Sequence, residues 1–163
     1  MIIECKELLW RQFGASVDML ENAITLCPEV LWDNRENFWY NAYHCLFFLD
    51  YYLTIEHNSF APPEPFTLSE FDPSGAMPER VYTKEELLIY LRFNRKKCHS
   101  VIQHLTEEIA MQRWQNGYKD YTFLELLFYN MRHVQHHAAQ LNLLLRQGMN
   151  KAPNWVSEAK DNL

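Results

Sequence analysis

An all-α fold, with four long helices packed as a four-helix bundle, is the architecture that this 163-residue chain predicts. The chain contains only four glycines, too few for the tight turns that an all-β protein of this size requires. Hydrophobic residues make up 48% of the chain, enough to bury a proper core. In several long segments, apolar residues recur at spacings of three and four, as in amphipathic helices. Residues 1–163 are therefore predicted to form a single domain.

The first two predicted helices are separated by a short break. Residues 2–27 have a regular apolar stripe, and Pro28 ends this first helix because proline cannot continue the hydrogen-bond ladder. The second helix covers residues 34–54 and is apolar nearly all round, so we expect it to be deeply buried. Asp33 is the predicted N-cap of this helix, with Glu36 as its reciprocal partner.

A long proline-rich crossover, residues 57–80, joins the second and third helices. It holds five of the seven prolines, which excludes a regular helix or strand. Its five large apolar side chains are too many for a free linker, so we expect it to pack over an end of the bundle. A connection of this length does not require antiparallel neighbours, and the second and third helices are free to run parallel.

The third and fourth predicted helices follow the crossover. The third begins with a capping box formed by Thr83 and Glu86 and is expected to continue to Ala110. The sequence QNGYKD, residues 115–120, is the expected turn. The fourth helix covers residues 121–147 and is predicted to end at the glycine that follows.

Charge and composition exclude several classes of function. The formal net charge is −6, and no run of basic residues offsets it, so neither nucleic acid nor an anionic membrane is an expected partner. No apolar run reaches the ~20 residues needed to span a bilayer. The acidic start of the chain does not resemble an export signal, and the four cysteines form no CxxC pair, so free thiols and a cytoplasmic location are expected.

Three of the seven histidines lie close together in the fourth helix. At ~100° per residue, His133 and His137 lie one turn apart at the edge of the apolar face, whereas His136 points towards solvent. An i, i+4 histidine pair offers two nitrogens that can converge on one metal ion. A third ligand must come from another helix, and His44, in the middle of the buried second helix, is the best candidate. The alternative is that these histidines are hydrogen-bonded packing residues.

Two segments resemble motifs of the DinB/YfiT-like superfamily. HVQHHAAQLNLLLRQ, residues 133–147, is similar to the last-helix motif of that family, and NFWYNAYHCLFFLDYYL, residues 37–53, is similar to its aromatic-rich second helix with a single histidine. The resemblance covers residues 5–148. It implies a four-helix bundle of up-down-down-up topology and a divalent metal held by three histidines, which correspond here to His44, His133 and His137. It also implies a homodimer.

One departure from the family pattern follows the histidine pair. Many members have Arg-Gly at this point, whereas this chain has Ala138 and Ala139. The change removes a fixed charge near the site, which alters a contact with an anionic substrate or an interface, but it does not affect the ligands.

A site with three neutral imidazoles leaves a divalent ion with open coordination positions. Zn, Ni, Fe and Mn are all compatible with such ligands, and the histidines do not select among them. Four polar residues are candidates to hydrogen-bond the imidazoles and fix their tautomers. They are Tyr43, Asp50, Asn130 and Gln140.

The resemblance implies a metal-dependent enzyme. Family members with assigned roles include transferases and isomerases that use low-molecular-weight thiols, so the leading hypothesis is activation of a thiol that attacks a small-molecule substrate. Hydrolysis by activated water is the alternative within the enzyme class. A non-catalytic bundle, acting through dimerisation or partner binding with a structural or absent metal, is the alternative outside it.

Overall fold

Four long helices dominate the architecture, which is known from a computed structural model that describes residues 2–163 and the side chains from Cys5 onward. In chain order, the long helices are α1 (Ile2–Leu26), α3 (Phe38–Tyr52), α4 (Lys84–Gln103) and α6 (Phe123–Met149). Two short helices, α2 (Glu29–Trp32) and α5 (Glu107–Met111), lie between them. The all-α prediction is confirmed, whereas the up-down-down-up order stays a prediction.

The long helices pack in a ring around one apolar core. Helix α1 packs against α4 and α6, and α3 packs against the same two helices. Three large aromatic side chains in the core, Trp10, Phe13 and Phe47, are fully buried. Helix α3 contributes most of its residues to the core, because it is apolar on nearly every face.

The proline-rich crossover packs on the helices, as expected, and it lies along α3. The buried Phe66 stacks on Tyr43 of α3, with ring centroids 5.8 Å apart, and on Tyr90 of α4, with centroids 4.4 Å apart. The crossover also contains two single turns of 3₁₀ helix, His57–Ser59 and Ser69–Phe71. The second of these turns lies beside the histidines of α3 and α6.

Helix starts were predicted with mixed success. The capping box of α4 is present, with Thr83 accepting a hydrogen bond from the Glu86 amide and Glu86 accepting one from the Thr83 amide. The predicted cap of α3 is wrong. That helix begins at Phe38 after Asn37, which has a left-handed φ of 50°, and Asp33 instead accepts a hydrogen bond from the indole of Trp39.

The region between α4 and α6 differs from the prediction. Helix α4 ends at Gln103, and Thr106 caps the separate helix α5 by accepting a hydrogen bond from the Ile109 amide. The expected turn joins two short antiparallel strands, β1 (Arg113–Gln115) and β2 (Asp120–Thr122). Residues 115–120 were predicted to be a turn and residues 121–122 to begin the fourth helix, but Trp114 packs its buried indole against α3 and so holds the hairpin on that helix.

The C-terminal segment, residues 151–163, returns along α1. The Ala159 amide donates to the Arg11 carbonyl at 2.9 Å, and the Trp10 indole donates to the Asp161 carbonyl at 3.0 Å. Arg95 of α4 forms ion pairs with Asp161 and with Asp18 of α1. The tail is therefore a fixed part of the fold. Within residues 2–163, no helix has the length and apolar character needed to cross a membrane.

Candidate metal centre

Three histidines meet where α3 faces α6. One ring nitrogen from each of His44, His133 and His137 lies within 4.8 Å of the others. The structure thus brings together the three residues that the sequence indicated as ligands. His136, between them in sequence, is exposed on the outer side of α6, as the helical periodicity predicts.

His133 and His137 present their Nε2 atoms to each other at 3.1 Å. Two nitrogens that bind one ion at ~2.0–2.1 Å lie about 2.8 Å apart at an octahedral angle and about 3.4 Å apart at a tetrahedral angle. The observed separation falls within this range. The i, i+4 spacing on α6 therefore already places two donors at the distance that a shared divalent ion requires.

Glu70 of the crossover orients the imidazole of His44. Its Oε2 lies 2.5 Å from His44 Nδ1, and the Glu70 side chain is only 3% exposed. Because the carboxylate accepts the Nδ1 proton, Nε2 of His44 is the nitrogen left to bind a metal. Carboxylate–histidine pairs of this kind are the usual support of metal-binding histidines.

Asn41 and Gln140 orient His137 in the same way. Asn41 Oδ1 lies 2.8 Å from His137 Nδ1, and Asn41 Nδ2 donates to Gln140 Oε1 at 3.3 Å. For Asn41 Oδ1 to accept, His137 must carry its proton on Nδ1, which directs the Nε2 lone pair towards His133. The chain of hydrogen bonds therefore holds the tautomer that a metal needs.

Burial keeps two of the imidazoles neutral. Burial, together with smaller contributions from the neighbouring imidazoles of His137 and His44, lowers the pKa of His133 to about 3. The pKa of His137 is lowered to about 4 by burial and by His44. His133 Nδ1 is also buried without a hydrogen-bond partner. At neutral pH both side chains therefore have free lone pairs, as metal ligands must.

The other three polar residues predicted to support the imidazoles hydrogen-bond elsewhere. Tyr43 donates to the Thr67 carbonyl at 2.9 Å, and Asn130 Nδ2 donates to the Leu49 carbonyl at 3.0 Å. Asp50 accepts from Tyr90 and Lys97 on α4. These contacts tie the crossover, α4 and α6 to α3, and none of them reaches an imidazole.

Sequence reasoning missed Asn41 and Glu70. Asn41 lies three residues before His44 and so shares its helix face, a signal that could have found it. Glu70 lies in an irregular segment 26 positions after His44, where no local pattern indicates its partner. Three cysteines, Cys27, Cys45 and Cys98, are buried, and burial raises their pKa, so they are poor nucleophiles.

Comparison with known proteins agrees with the resemblance seen in the sequence. A family model described as the DinB superfamily matches residues 7–141. This range includes α3, α4 and all three histidines, and most of α1 and α6. Comparison with curated proteins found no match, and comparison with solved structures found none.

Proposed function

Because the chain belongs to the DinB superfamily, we propose that it is a metal-dependent enzyme whose divalent ion is held by His44, His133 and His137. One observation carries the proposal: the cluster contains three imidazoles and, among residues 5–163, no fourth histidine, cysteine or carboxylate donor joins the group. Structural ions usually have four protein ligands, whereas catalytic ions keep a position open. The side chain of His44 is 31% exposed, so that position is accessible from solvent.

The residues around the cluster prepare it for this role. Glu70 and Asn41 hold the protons of His44 and His137 on Nδ1, which leaves the Nε2 atoms as donors. When bound, a divalent ion would lower the pKa of a coordinated low-molecular-weight thiol or of water, and so supply a nucleophile at neutral pH for attack on a small electrophile. We propose thiol transfer or isomerisation as the reaction, and hydrolysis by activated water is the alternative that the activity assay below distinguishes from it.

We further infer that the four long helices run up-down-down-up, that the domain spans the whole chain, and that two copies associate as a homodimer. The packing of α1 and α3 on both α4 and α6 supports the bundle. Zn, Ni, Fe and Mn all suit three imidazoles, so the metal has to be identified by measurement.

The metal site is tested first, by plasma mass spectrometry on protein purified without a His tag. We expect about one divalent ion per chain, and loss of that ion in His44→Ala, His133→Ala and His137→Ala. His136→Ala is the matched control, because that side chain lies on the same helix but faces solvent. Full metal content in all three ligand variants, with helical content unchanged by circular dichroism, would contradict the site.

The activity is tested with the metal-loaded protein. Glutathione and cysteine are supplied with 1-chloro-2,4-dinitrobenzene as the electrophile, and 4-nitrophenyl acetate without thiol serves for hydrolysis. A rate that depends on thiol and disappears in His133→Ala supports thiol activation. Turnover of the ester alone favours the hydrolase, and rates equal to those of the ligand variants in both assays favour a non-catalytic metal protein.

A further inference from the structure

A cleft of about 480 Å³ adjoins the histidine cluster. It lies between the C-terminal half of α3, the crossover near Glu70 and the turn of the β1–β2 hairpin. Phe48 and Glu70 line the cleft and also contact the cluster, since the Phe48 ring lies 4.9 Å from the His44 ring and Glu70 binds His44 Nδ1. A molecule in the cleft would therefore be separated from the histidines only by the side chains of Phe48 and Glu70.

The walls of the cleft are mainly aromatic. Five lining residues share this property: Phe48, Tyr51, Tyr52, Phe71 and Tyr118. Phe71 is 43% exposed although it belongs to the crossover that packs on α3, and its ring lies 4.9 Å from that of Tyr51. Rings in edge-to-face arrangement leave apolar surface on which a flat or aliphatic group can pack. The lining therefore favours a ligand with an apolar body.

Lys119 is the one cation that lines the cleft. Its Nζ lies 4.9 Å from the ring centre of Tyr129 and 5.3 Å from that of Tyr52. Within residues 5–163, the Lys119 ammonium has neither a carboxylate partner at ion-pair distance nor a hydrogen-bond acceptor, whereas Lys97 and Lys160 both form ion pairs. Lys119 thus presents a half-buried charge that the fold itself does not neutralise.

The hairpin turn holds Lys119 in this position. Asn116 Oδ1 accepts hydrogen bonds from the amides of Tyr118 and Lys119, at 2.9 and 2.8 Å. Asn116 Nδ2 donates to the Tyr51 hydroxyl at 3.4 Å, which ties the turn to α3. The ammonium therefore extends from a backbone that is fixed on both sides, as a specific binding group requires.

Two carboxylates also line the cleft, and each accepts hydrogen bonds from neighbouring groups, although Glu70 Oε1 is buried without a partner. Glu70 pairs with His44 Nδ1, and Asp72 Oδ1 accepts from the amide and the hydroxyl of Ser74. Lys119 is the one positively charged group that lines the cleft, and it has no ion-pair partner among the described residues. A ligand group that pairs with this ammonium is therefore negative.

We propose that this cleft binds the substrate, and that the substrate is a carboxylate with an aromatic or other apolar body. The apolar body packs between Phe48, Tyr52 and Phe71, the carboxylate pairs with Lys119, and the reacting group extends past Phe48 to the histidines. The identification of the bound molecule as a substrate rests on the proposed function, because it requires that the adjoining histidines hold a catalytic metal. The binding itself does not require the metal.

The test is a nuclear magnetic resonance titration of ¹⁵N-labelled protein treated with a chelator. Three probes separate the contribution of the carboxylate from that of the apolar body. 3-Phenylpropionate has a carboxylate and a ring, 3-phenylpropan-1-ol lacks the charge, and propionate lacks the ring. We expect 3-phenylpropionate to bind about tenfold more tightly than the alcohol, the usual size of one charge-assisted hydrogen bond, and more tightly than propionate. The largest shifts are expected at residues 70–73 and 116–119.

Two variants locate the charge. Lys119→Met keeps the apolar stem and should bind the acid and the alcohol equally, whereas Lys151→Met, at an exposed tail position, should keep the tenfold preference. Equal binding of acid and alcohol to the unsubstituted protein, or a preference that survives in Lys119→Met, would overturn the proposal. Metal content is measured on the same preparation before the chelator is added, so a protein that binds the acid but carried no metal supports the cleft and contradicts the proposed function alone.

Discussion

At the scale of single residues, the site depends on which imidazole nitrogen carries the proton. Glu70 and Asn41 each accept from an Nδ1 atom, at 2.5 and 2.8 Å, and so direct the Nε2 lone pairs of His44 and His137 into the cluster. Since a buried histidine has two tautomers of similar energy, such partners determine whether the ligand atom is available. The histidines alone would provide the ligand types but not their orientation.

Replacement of Glu70 by glutamine tests this support. Glu70→Gln keeps the shape of the side chain but removes the charge that stabilises the His44 Nδ1 proton, so zinc affinity should fall about 10–100-fold. Competition with a chromophoric chelator measures the affinity. Glu79→Gln, at an exposed position of the same crossover, should change it little. Equal affinities in the two variants would contradict a supporting role for Glu70.

Asn130 is expected to stabilise the fold without supporting the metal, because its side-chain amide donates to the Leu49 carbonyl on α3 instead of to a histidine. Asn130→Ala should lower the free energy of unfolding by about 1–3 kcal/mol, the usual cost of losing a buried hydrogen bond. Zinc affinity should stay the same. Urea denaturation and chelator competition measure the two quantities, and a selective loss of zinc affinity would instead assign Asn130 to the metal centre.

At the scale of elements, the helices carry the ligands and the irregular segments complete the site. The i, i+4 spacing on α6 places His133 and His137 together, and α3 contributes His44 from the facing side. The crossover contributes Glu70, and the β1–β2 hairpin contributes Lys119 to the adjoining cleft. Rigid helices therefore determine the ligand distances, while the connections determine the surroundings of the metal.

The capping box of α4 gives the fold a defined acid sensitivity. A hydrogen bond from Arg80 and one from the Thr83 amide lower the pKa of Glu86 from 4.5 to about 2. Because the pKa is lower in the folded state, this stabilisation is present in full above pH 4.5 and is lost as the pH falls towards about 2. The difference in unfolding free energy between the unsubstituted protein and Glu86→Gln should therefore shrink over that interval.

Chemical denaturation from neutral pH down to about pH 2 measures this difference. Glu85→Gln is the control, because it removes the neighbouring carboxylate, which lies outside the capping box. A difference between the unsubstituted protein and Glu86→Gln that stayed constant across the interval would rule out the Glu86 carboxylate as the source of acid sensitivity.

At the scale of the whole molecule, the C-terminal tail joins α1 to α4. Arg95 bridges Asp18 and Asp161, and the Ala159 amide bonds to the Arg11 carbonyl. The tail approaches α1 so closely that a Cβ at Gly14 would lie 2.6 Å from Ala159 Cβ. Such contact is possible only with glycine at this position, because any other side chain would displace the tail.

Gly14→Ala should therefore loosen the tail without removing the helix, since alanine is a better helix former than glycine. We expect hydrogen exchange at the Ala159 amide to accelerate on the order of tenfold, because its bond to Arg11 opens more often. Gly117→Ala is the control, because a Cβ there meets nothing within 4 Å. Unchanged exchange in Gly14→Ala would mean that the tail is not held by this close packing.

Local periodicity was sufficient to predict the four long helices. It also predicted that His136 is exposed and that His133 and His137 lie together at the edge of the apolar face, because each result depends on spacing within one helix. The Thr83–Glu86 box was predictable for the same reason. The wrong predictions concern helix ends and connections. They are the start of α3, the short helix α5, and a hairpin whose Asn-Gly signal was interpreted only as a turn.

The sequence thus determined the helices and the candidate ligands, whereas only the tertiary structure brought Glu70 to His44, Lys119 to the cleft and the tail to α1. Each of these contacts joins residues that are distant in the chain, through a connection with no regular period. Their positions result from how the crossover and the hairpin pack on α3, and from how the tail packs on α1 and α4. Such packing is a property of many side chains together, and no single stretch of sequence contains it.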